Sequence, residues 1–314
     1  MRSILRPMTP FLTVYGHVCL DQILSLERFP EPNTSVDIRE KHRYYGGTGA
    51  NIATAAAALG VPTALVSYVG PDLPADFRQF MESKGVDLSE VVTVDGYETS
   101  TVIVVTSAAQ DQIAYVYQGP MRDMGRFELR TAAARGSRYV HISTGRPEYY
   151  LPLMLECRRL GKDVSFDPAQ EIHHIWDRET FRQALPLASR FFGNRNELRA
   201  AMRYMDAGGP EDLLATVPEV ITTRGKDGAL AFTGHGSWSV PAALSSAVVD
   251  PTGAGDAFRA GYYAGRYRGH VQNLAVEEVA GVHRVVPHHP QPPGQGAQHL
   301  VGQEPRLDHR PPRR

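Results

Sequence analysis

The sequence predicts an α/β fold, a sandwich with helices on both faces of a central, mostly parallel sheet. Two observations predict it. From Phe11 to Gly269, short apolar runs alternate with helix-like segments, the pattern produced by strand–helix–strand crossovers. The runs are rich in Val, Ile or Phe, as strands covered on both faces are. At 314 residues and 42% hydrophobic content, the chain is also long and apolar enough to bury a sizeable core.

In chain order, the central strands are expected at Phe11–Gly16, Thr63–Val69, Tyr139–Ser143, Asp163–Phe166, Ser189–Phe192 and Val220–Thr223, each ending near Gly, Asp, Asn or Thr. Helices follow at Ala50–Leu59, Ala75–Lys84, Glu148–Leu160, Asn196–Met205, Glu211–Thr216 and Ala254–Tyr267. Two stretches, about 22–47 and about 91–118, break the alternation. Thr101–Val105 and Gln112–Tyr117 show a period of two within them, so they read as antiparallel strands outside the main sheet. Such strands form a small β lid or, alternatively, extend the main sheet at its edge.

Composition removes several classes of function. Lys and Arg total 33 against 34 Asp and Glu, a formal charge of −1, so no global basic field exists to attract nucleic acid or an anionic membrane. No apolar run approaches the roughly 20 residues that cross a bilayer, and the opening Met1–Pro7 is too short for a secretory signal; a cytoplasmic protein is expected. Cys19 and Cys157 stand far apart without CxxC neighbours, which excludes a disulfide scaffold and a thiolate zinc site. From His270 to Arg314 the chain changes in kind, carrying six of its twelve histidines, a Pro/Gln/Gly-rich stretch and a terminal Arg310–Arg314. Apolar periodicity stops after Val286, and a disordered tail is expected there.

The strongest chemical signal is Val249-Asp250-Pro251-Thr252-Gly253-Ala254-Gly255-Asp256-Ala257-Phe258-Arg259-Ala260-Gly261. Gly253 and Gly255 permit a tight turn in which the amides of about residues 253–256 converge at a helix start. Such a nest binds an anion and stabilises charge on a phosphoryl group in transfer. Asp256 sits where its carboxylate can take the proton of an attacking hydroxyl; a capped helix start, with Asp256 complementing the macrodipole, is the alternative on these residues alone. Other phosphate motifs are absent. No Gly-x-x-x-x-Gly-Lys-[Ser/Thr] occurs, and Phe258 and Ile52 fall where a dinucleotide fingerprint needs its third glycine.

Asp250–Phe258 resembles the C-terminal signature of the ribokinase-like (PfkB) sugar and nucleoside kinases. Three more motifs stand in that family's order: Tyr45-Gly46-Gly47-Thr48-Gly49-Ala50-Asn51-Ile52-Ala53, Asn194-Arg195-Asn196-Glu197, and Thr223-Arg224-Gly225-Lys226-Asp227-Gly228. The resemblance spans about residues 11–269. It implies a ribokinase-like α/β/α sandwich with a β lid and ATP-dependent phosphorylation of a hydroxymethyl group. By it, Asp256 is the general base, and the amides of Gly253, Ala254 and Gly255 hold the transferring phosphoryl. Asp21 and Asn51 meet substrate hydroxyls where Gly46 and Gly47 let a polyol approach the backbone. Asn194 and Glu197 order hydrated Mg²⁺ near the triphosphate, oxygen donors being suited to that ion. Thr223, Gly225 and Gly228 form a second phosphate-holding turn. On the residues alone, Asn194 and Glu197 are equally a helix cap, and Thr223–Gly228 a β-turn.

Glu27–Ser35, Arg43–Gly47, Ser143–Glu148 and Ser165–Gln170 are especially similar to the archaeal nucleoside kinases of this superfamily. That resemblance implies a ribonucleoside whose ribose diol meets Asp21 and whose 5′-hydroxyl faces Asp256, with Gln170 a further substrate contact. A sugar kinase of the fructokinase or ribokinase type remains the alternative. Family members normally continue past the signature helix with two helices that wall the adenine pocket, where this sequence has its His/Pro/Arg tail. That departure implies an incomplete pocket, and with it a third reading, a non-catalytic nucleoside- or sugar-binding protein. Exposed lid strands imply a homodimer formed through the lid.

Overall fold

The computed structural model describes residues 9–109, 111–242 and 253–270. Its main sheet has nine strands in the order β13-β12-β11-β10-β9-β8-β1-β4-β5. These are β1 Leu12–Tyr15, β4 Thr63–Val69, β5 Val86–Thr93, β8 Tyr139–Ile142, β9 Asp163–Phe166, β10 Arg190–Asn194, β11 Glu219–Thr223, β12 Ala229–Thr233 and β13 Gly236–Val240. All neighbours from β5 to β11 pair in parallel, and the β12–β13 hairpin closes one edge antiparallel. β1, β4, β8 and β9 are buried almost end to end, as strands covered on both faces must be.

Helices cover each face. α1 Thr48–Ala58, α2 Ala75–Ser83 and α7 Ala254–Tyr267 share one buried cluster that includes Ala53, Phe77, Met81, Phe258 and Tyr263. The alanine run of α1 has a structural cause, since small residues let it lie close to α7 and to the end of β1. A side chain at Gly49 would strike the Gly16 backbone. The opposite face carries α3 Ala132–Gly136, α4 Pro147–Arg159, α5 Arg178–Ala184 and α6 Arg195–Met205, packed around Tyr150, Leu153, Phe166, Phe181 and Phe191. Each such fully buried side chain stabilises the fold by roughly 1.5–3 kcal/mol before entropy is counted.

A second sheet stands off the first, in the order β3-β2-β6-β7. It comprises β2 Cys19–Leu26, β3 Ile38–Gly46, β6 Thr101–Thr106 and β7 Gln112–Tyr117. It is rooted at two places. The Tyr45 ring stacks on Phe77 at 4.4 Å and its hydroxyl donates to Asp76 at 2.7 Å, while Asp72 accepts from both the amide and the hydroxyl of Thr99. Two expectations about this region need correction. Residues up to Thr93 belong to β5 at the edge of the main sheet, and β2 pairs with β6 in parallel. The chain passes through α1, β4, α2 and β5 between those two strands, and hairpin connection is available only to strands consecutive in the chain.

The expected helix at Glu211–Thr216 is a 3-10 turn, Pro210–Ala215. No helix among the described residues is long and apolar enough to cross a membrane. The tail expected to be disordered lies, from residue 271 onward, outside the described residues.

Candidate active site

In a sheet of this topology the carboxyl ends of the parallel strands form the binding edge. Five strands deliver polar residues there: Gly16 and His17 after β1, Ser143 and Thr144 after β8, Asp167 after β9, Asn194 at the end of β10 and Thr223 at the end of β11. The lid's base and the start of α7 complete the site.

Asp21 lies on β2 opposite Tyr44, diagonal to Gly46 on β3. A side chain at Gly46 would occupy the space of the Asp21 carboxylate, so this glycine is what admits the acid. Asp21 Oδ1 is buried with no partner among the described residues, and burial lifts its pKa to about 7. Gly47 turns with φ +94°, and a Cβ there would run into the His17 carbonyl. That same carbonyl accepts from Ala50 at 3.1 Å, which pins the first turn of α1 and aims Asn51 across the site. Asn51 Nδ2 donates to Asp256 Oδ2 at 2.8 Å, joining two motifs 205 residues apart.

Asp256 is partly buried in the first turn of α7. Burial lifts its carboxyl to about 6, against the opposing pull of the Asn51 hydrogen bond and the Arg259 charge. Gly253 takes the left-handed conformation, φ +77°. Among the described residues nothing accepts from the amides of Gly253, Ala254 and Gly255, which are donors an α-helix leaves open at its start.

The remaining motifs gather two strands away. Asn194 and Thr223 are direct partners in the β10–β11 ladder. Asn194 Oδ1 accepts from the amides of Asn196 and Glu197, while Glu197 accepts the Asn194 amide at 2.6 Å and Asn194 Nδ2 at 2.8 Å. This is a full capping box, the helix-cap alternative realised. Glu197 is buried, and burial together with the nearby Asp167 charge raises its pKa. Gly225 and Gly228 both adopt positive φ in a tight turn, where the Arg224 amide donates to the Gly228 carbonyl at 2.7 Å. An Arg195–Asp227 ion pair ties that turn to the head of α6. No cluster of three or more His, Cys, Asp or Glu side chains fit to hold a metal occurs among the described residues.

The pfkB family carbohydrate kinase model matches residues 9–278. The chain belongs to the pfkB family of carbohydrate kinases. It is 34% identical to a nucleoside kinase of Methanothermobacter thermautotrophicus over 261 residues, which are 82% of this chain and 83% of that protein. It is 32% identical to an ATP-dependent ribose-1-phosphate kinase of Halopiger xanaduensis, over 79% of this chain and 82% of that one. The crystal structure of the Methanocaldococcus jannaschii nucleoside kinase, an archaeal member of the ribokinase family, superposes with a TM-score of 0.78 at 29% identity and covers 86% of this chain and 88% of its own. The fold is thus the ribokinase-like α/β sandwich, and the pfkB kinase is a phosphotransferase with an alcohol group as acceptor.

Gln170 stands apart from the converging groups. It is exposed on the 3-10 turn Ala169–His173, and its neighbour Glu171 is the residue that points inward. Glu171 accepts from the Gly145 amide at 2.5 Å and from Gln118 Nε2 at 3.1 Å. Gln118 Oε1 lies 2.5 Å from His17 Nε2, His17 Nδ1 lies 2.8 Å from Thr144 Oγ1, and Thr144 lies 2.6 Å from Thr48 Oγ1. This chain of bonds binds the exit of β7 and the glycine-rich turn to the core. The sequence reading missed His17, Gln118, Thr144 and Glu171. It also missed Asp167 and Arg259, a buried ion pair below Asp256. Glu171 and Asp167 lie within or beside the Ser165–Gln170 stretch, so the signal was an acid at a strand's carboxyl end.

Proposed function

We propose that this pfkB kinase, through a catalytic unit of residues 11–269, transfers the γ-phosphoryl group of ATP to the 5′-hydroxyl of a ribonucleoside in the cytoplasm. The observation that carries the proposal is the Asn51–Asp256 hydrogen bond. It places the carboxylate of the C-terminal signature against the substrate-side helix, within one residue of the open amides of Gly253–Gly255. In the reaction, Asp256 takes the proton of the acceptor hydroxyl, whose oxygen forms the new bond to the γ-phosphorus. The bond to the β-phosphate oxygen breaks, and ADP leaves with that electron pair. The amides of Gly253, Ala254 and Gly255 receive charge building on the phosphoryl oxygens. Asp21, a partly buried acid whose buried Oδ1 has no partner among the described residues, is suited to two vicinal hydroxyl donors of a ribose. Gln170 is a candidate for the base edge, since its amide both donates and accepts.

Thr223, Gly225 and Gly228 are proposed to turn toward the nucleotide phosphates, ATP being the donor expected of the family. Mg²⁺ would screen the triphosphate. The residues fit it through water, since each Glu197 oxygen keeps a lone pair beyond the capping box. Lid closure over the acceptor would exclude water and suppress ATP hydrolysis. The outer strand β7 is exposed throughout, Tyr115 at 58% and Val116 at 49%, which supports a homodimer formed through two lids.

The test is an acceptor panel with Mg·ATP: the common ribonucleosides, ribose, fructose and ribose 1-phosphate, with ADP release and product phosphate position read by ³¹P NMR. A 5′-nucleotide product is expected. Turnover confined to ribose 1-phosphate, the acceptor named for the Halopiger xanaduensis relative, or to free sugars would overturn the nucleoside assignment.

A further inference from the structure

Arg259 lies one helical turn beyond Asp256 on α7, and its guanidinium is buried at 5% exposure. It makes three hydrogen bonds: Nε to Asp167 Oδ2 at 2.6 Å, Nη2 to Asp167 Oδ1 at 3.1 Å, and Nη1 to the Gly255 carbonyl at 3.0 Å. Asp167, 2% exposed, follows the last residue of β9. Below it, His141 Nε2 on β8 lies 3.3 Å from Asp167 Oδ2, and His141 Nδ1 lies 2.9 Å from the hydroxyl of Tyr263, another α7 residue. A fork-to-fork pair of this kind fixes orientation as well as distance.

We propose that the Asp167–Arg259 pair is the positioning device for the catalytic carboxylate: it clamps the first turn of α7 to the end of β9 and holds the Gly255–Asp256 peptide in place against Asn51. This rests on Asp256 being the base. Three features support it. The clamp reaches the peptide that carries Asp256, through the Gly255 carbonyl. A buried ion pair is a costly way to secure mere stability, since packed apolar side chains of similar size often do as well or better. Both members act on the proton affinity of Asp256 in opposite senses, Arg259 lowering it and Asp167 raising it. The groups facing Asp256 are Asn51 from α1, Arg259 on α7, Asp167 after β9 and Glu197 at the head of α6.

The test uses the full-length chain carrying Arg259→Gln, Asp167→Asn, or both, with Asp256→Asn as reference. The double variant leaves no buried charge unpaired, which guards against failure of either single variant to fold, but it has no guanidinium fork to span the Asp167 position and the Gly255 carbonyl together. Melting temperature, kcat, nucleoside KM and the carbon-13 titration of the Asp256 carboxyl are read. In the folded double variant, kcat is expected to fall about 10²-fold, the scale of a misplaced reacting group, with KM within threefold. The Asp256 titration is expected to move up in Arg259→Gln and down in Asp167→Asn, a pair of opposite shifts that loss of stability alone does not produce. A folded double variant with kcat within twofold of wild type, or single variants that leave the Asp256 titration in place or move it the same way, would overturn the proposal. If the wild-type chain phosphorylates no acceptor, the kinase reading fails, while the titrations still decide whether this pair governs Asp256.

Discussion

Asp256→Asn exchanges the carboxylate for an amide of the same shape, whose oxygen can still accept from Asn51 Nδ2 at the 2.8 Å position. The fold and the acceptor pocket are therefore expected to persist, and what is lost is the proton acceptor. General-base catalysis contributes about 10²–10⁴ in rate, so kcat should fall by that factor, about 3–5 kcal/mol of transition-state stabilisation, while nucleoside KM stays within threefold. The wild-type pH profile gives an independent measure. Burial places the Asp256 carboxyl at about 6, and only its ionised form accepts a proton. Turnover should thus be level above pH 7 and fall through 6, to roughly a tenth of the plateau by pH 5. Asn51→Ala removes a hydrogen bond that favours the ionised form, so its acidic limb should move to higher pH. The assay is ADP release at saturating nucleoside and Mg·ATP from pH 5 to 9. Turnover of Asp256→Asn within threefold of wild type, or a limb that Asn51→Ala moves toward acid, would refute the reasoning.

Other consequences are equally direct. Asp21 titrates near 7 because it is buried, above its unfolded value near 3.9, so its contribution to stability is full below that unfolded value and drains away as pH rises through 7. Asp21→Asn should therefore raise the melting temperature most at pH 8, about a third as much in free energy at pH 5, and weaken nucleoside binding by calorimetry. Gly228→Ala places a Cβ against the Val240 carbonyl at φ +78°; urea titration should show a loss of about 1–3 kcal/mol, the scale of local backbone strain, with a raised KM for ATP. Tyr115→Glu on β7 should shift the sedimentation coefficient to that of a monomer without lowering the melting temperature, because that side chain is 58% exposed in the single chain.

The alternation of apolar runs located every parallel strand of the main sheet except β5, and the bounds of β4, β9 and α7 match the expected ones closely, because a strand buried on both faces or a helix between glycine breaks writes its limits into composition. The β12–β13 hairpin went unread although its signal exists, two residues, Gly234-His235, between alternating runs. α5 went unread because seven residues are too few for helical periodicity, although Asp177 and Thr180 announce its capping box. Within the site, the sequence placed the groups proposed here as base, anion nest and diol acceptor. It was silent on Asp167, Arg259, Glu171 and Gln118, whose importance lies in partners up to 101 residues away. An isolated acid at a strand end carries no mark of what it will meet. For Asn194 and Glu197 the two readings coincide, since the capping box that orders α6 also fixes where the oxygens proposed for hydrated Mg²⁺ lie.

Charge at the site is left for the ligand to balance. Burial drives Asp167 up, but the Arg259 charge and the His141 contact outweigh it and hold that acid near 2, whereas Asp21 has no cation against it among the described residues and sits near 7. If a ribose diol is its partner, two hydroxyl donors favour the ionised form, and binding must lower the Asp21 pKa. At pH 6.5 a free carboxyl that titrates near 7 is about three-quarters protonated, so nucleoside binding should release close to that fraction of a proton, and almost none at pH 8. Asp256 would add a smaller release of its own, and the Asp256→Asn variant removes it while keeping the diol site. Titration calorimetry of that variant in two buffers of different ionisation enthalpy measures the number directly. Proton uptake on binding, or a release that does not decline between pH 6.5 and 8, would show that the diol does not meet Asp21 and that the acceptor lies elsewhere along the sheet edge.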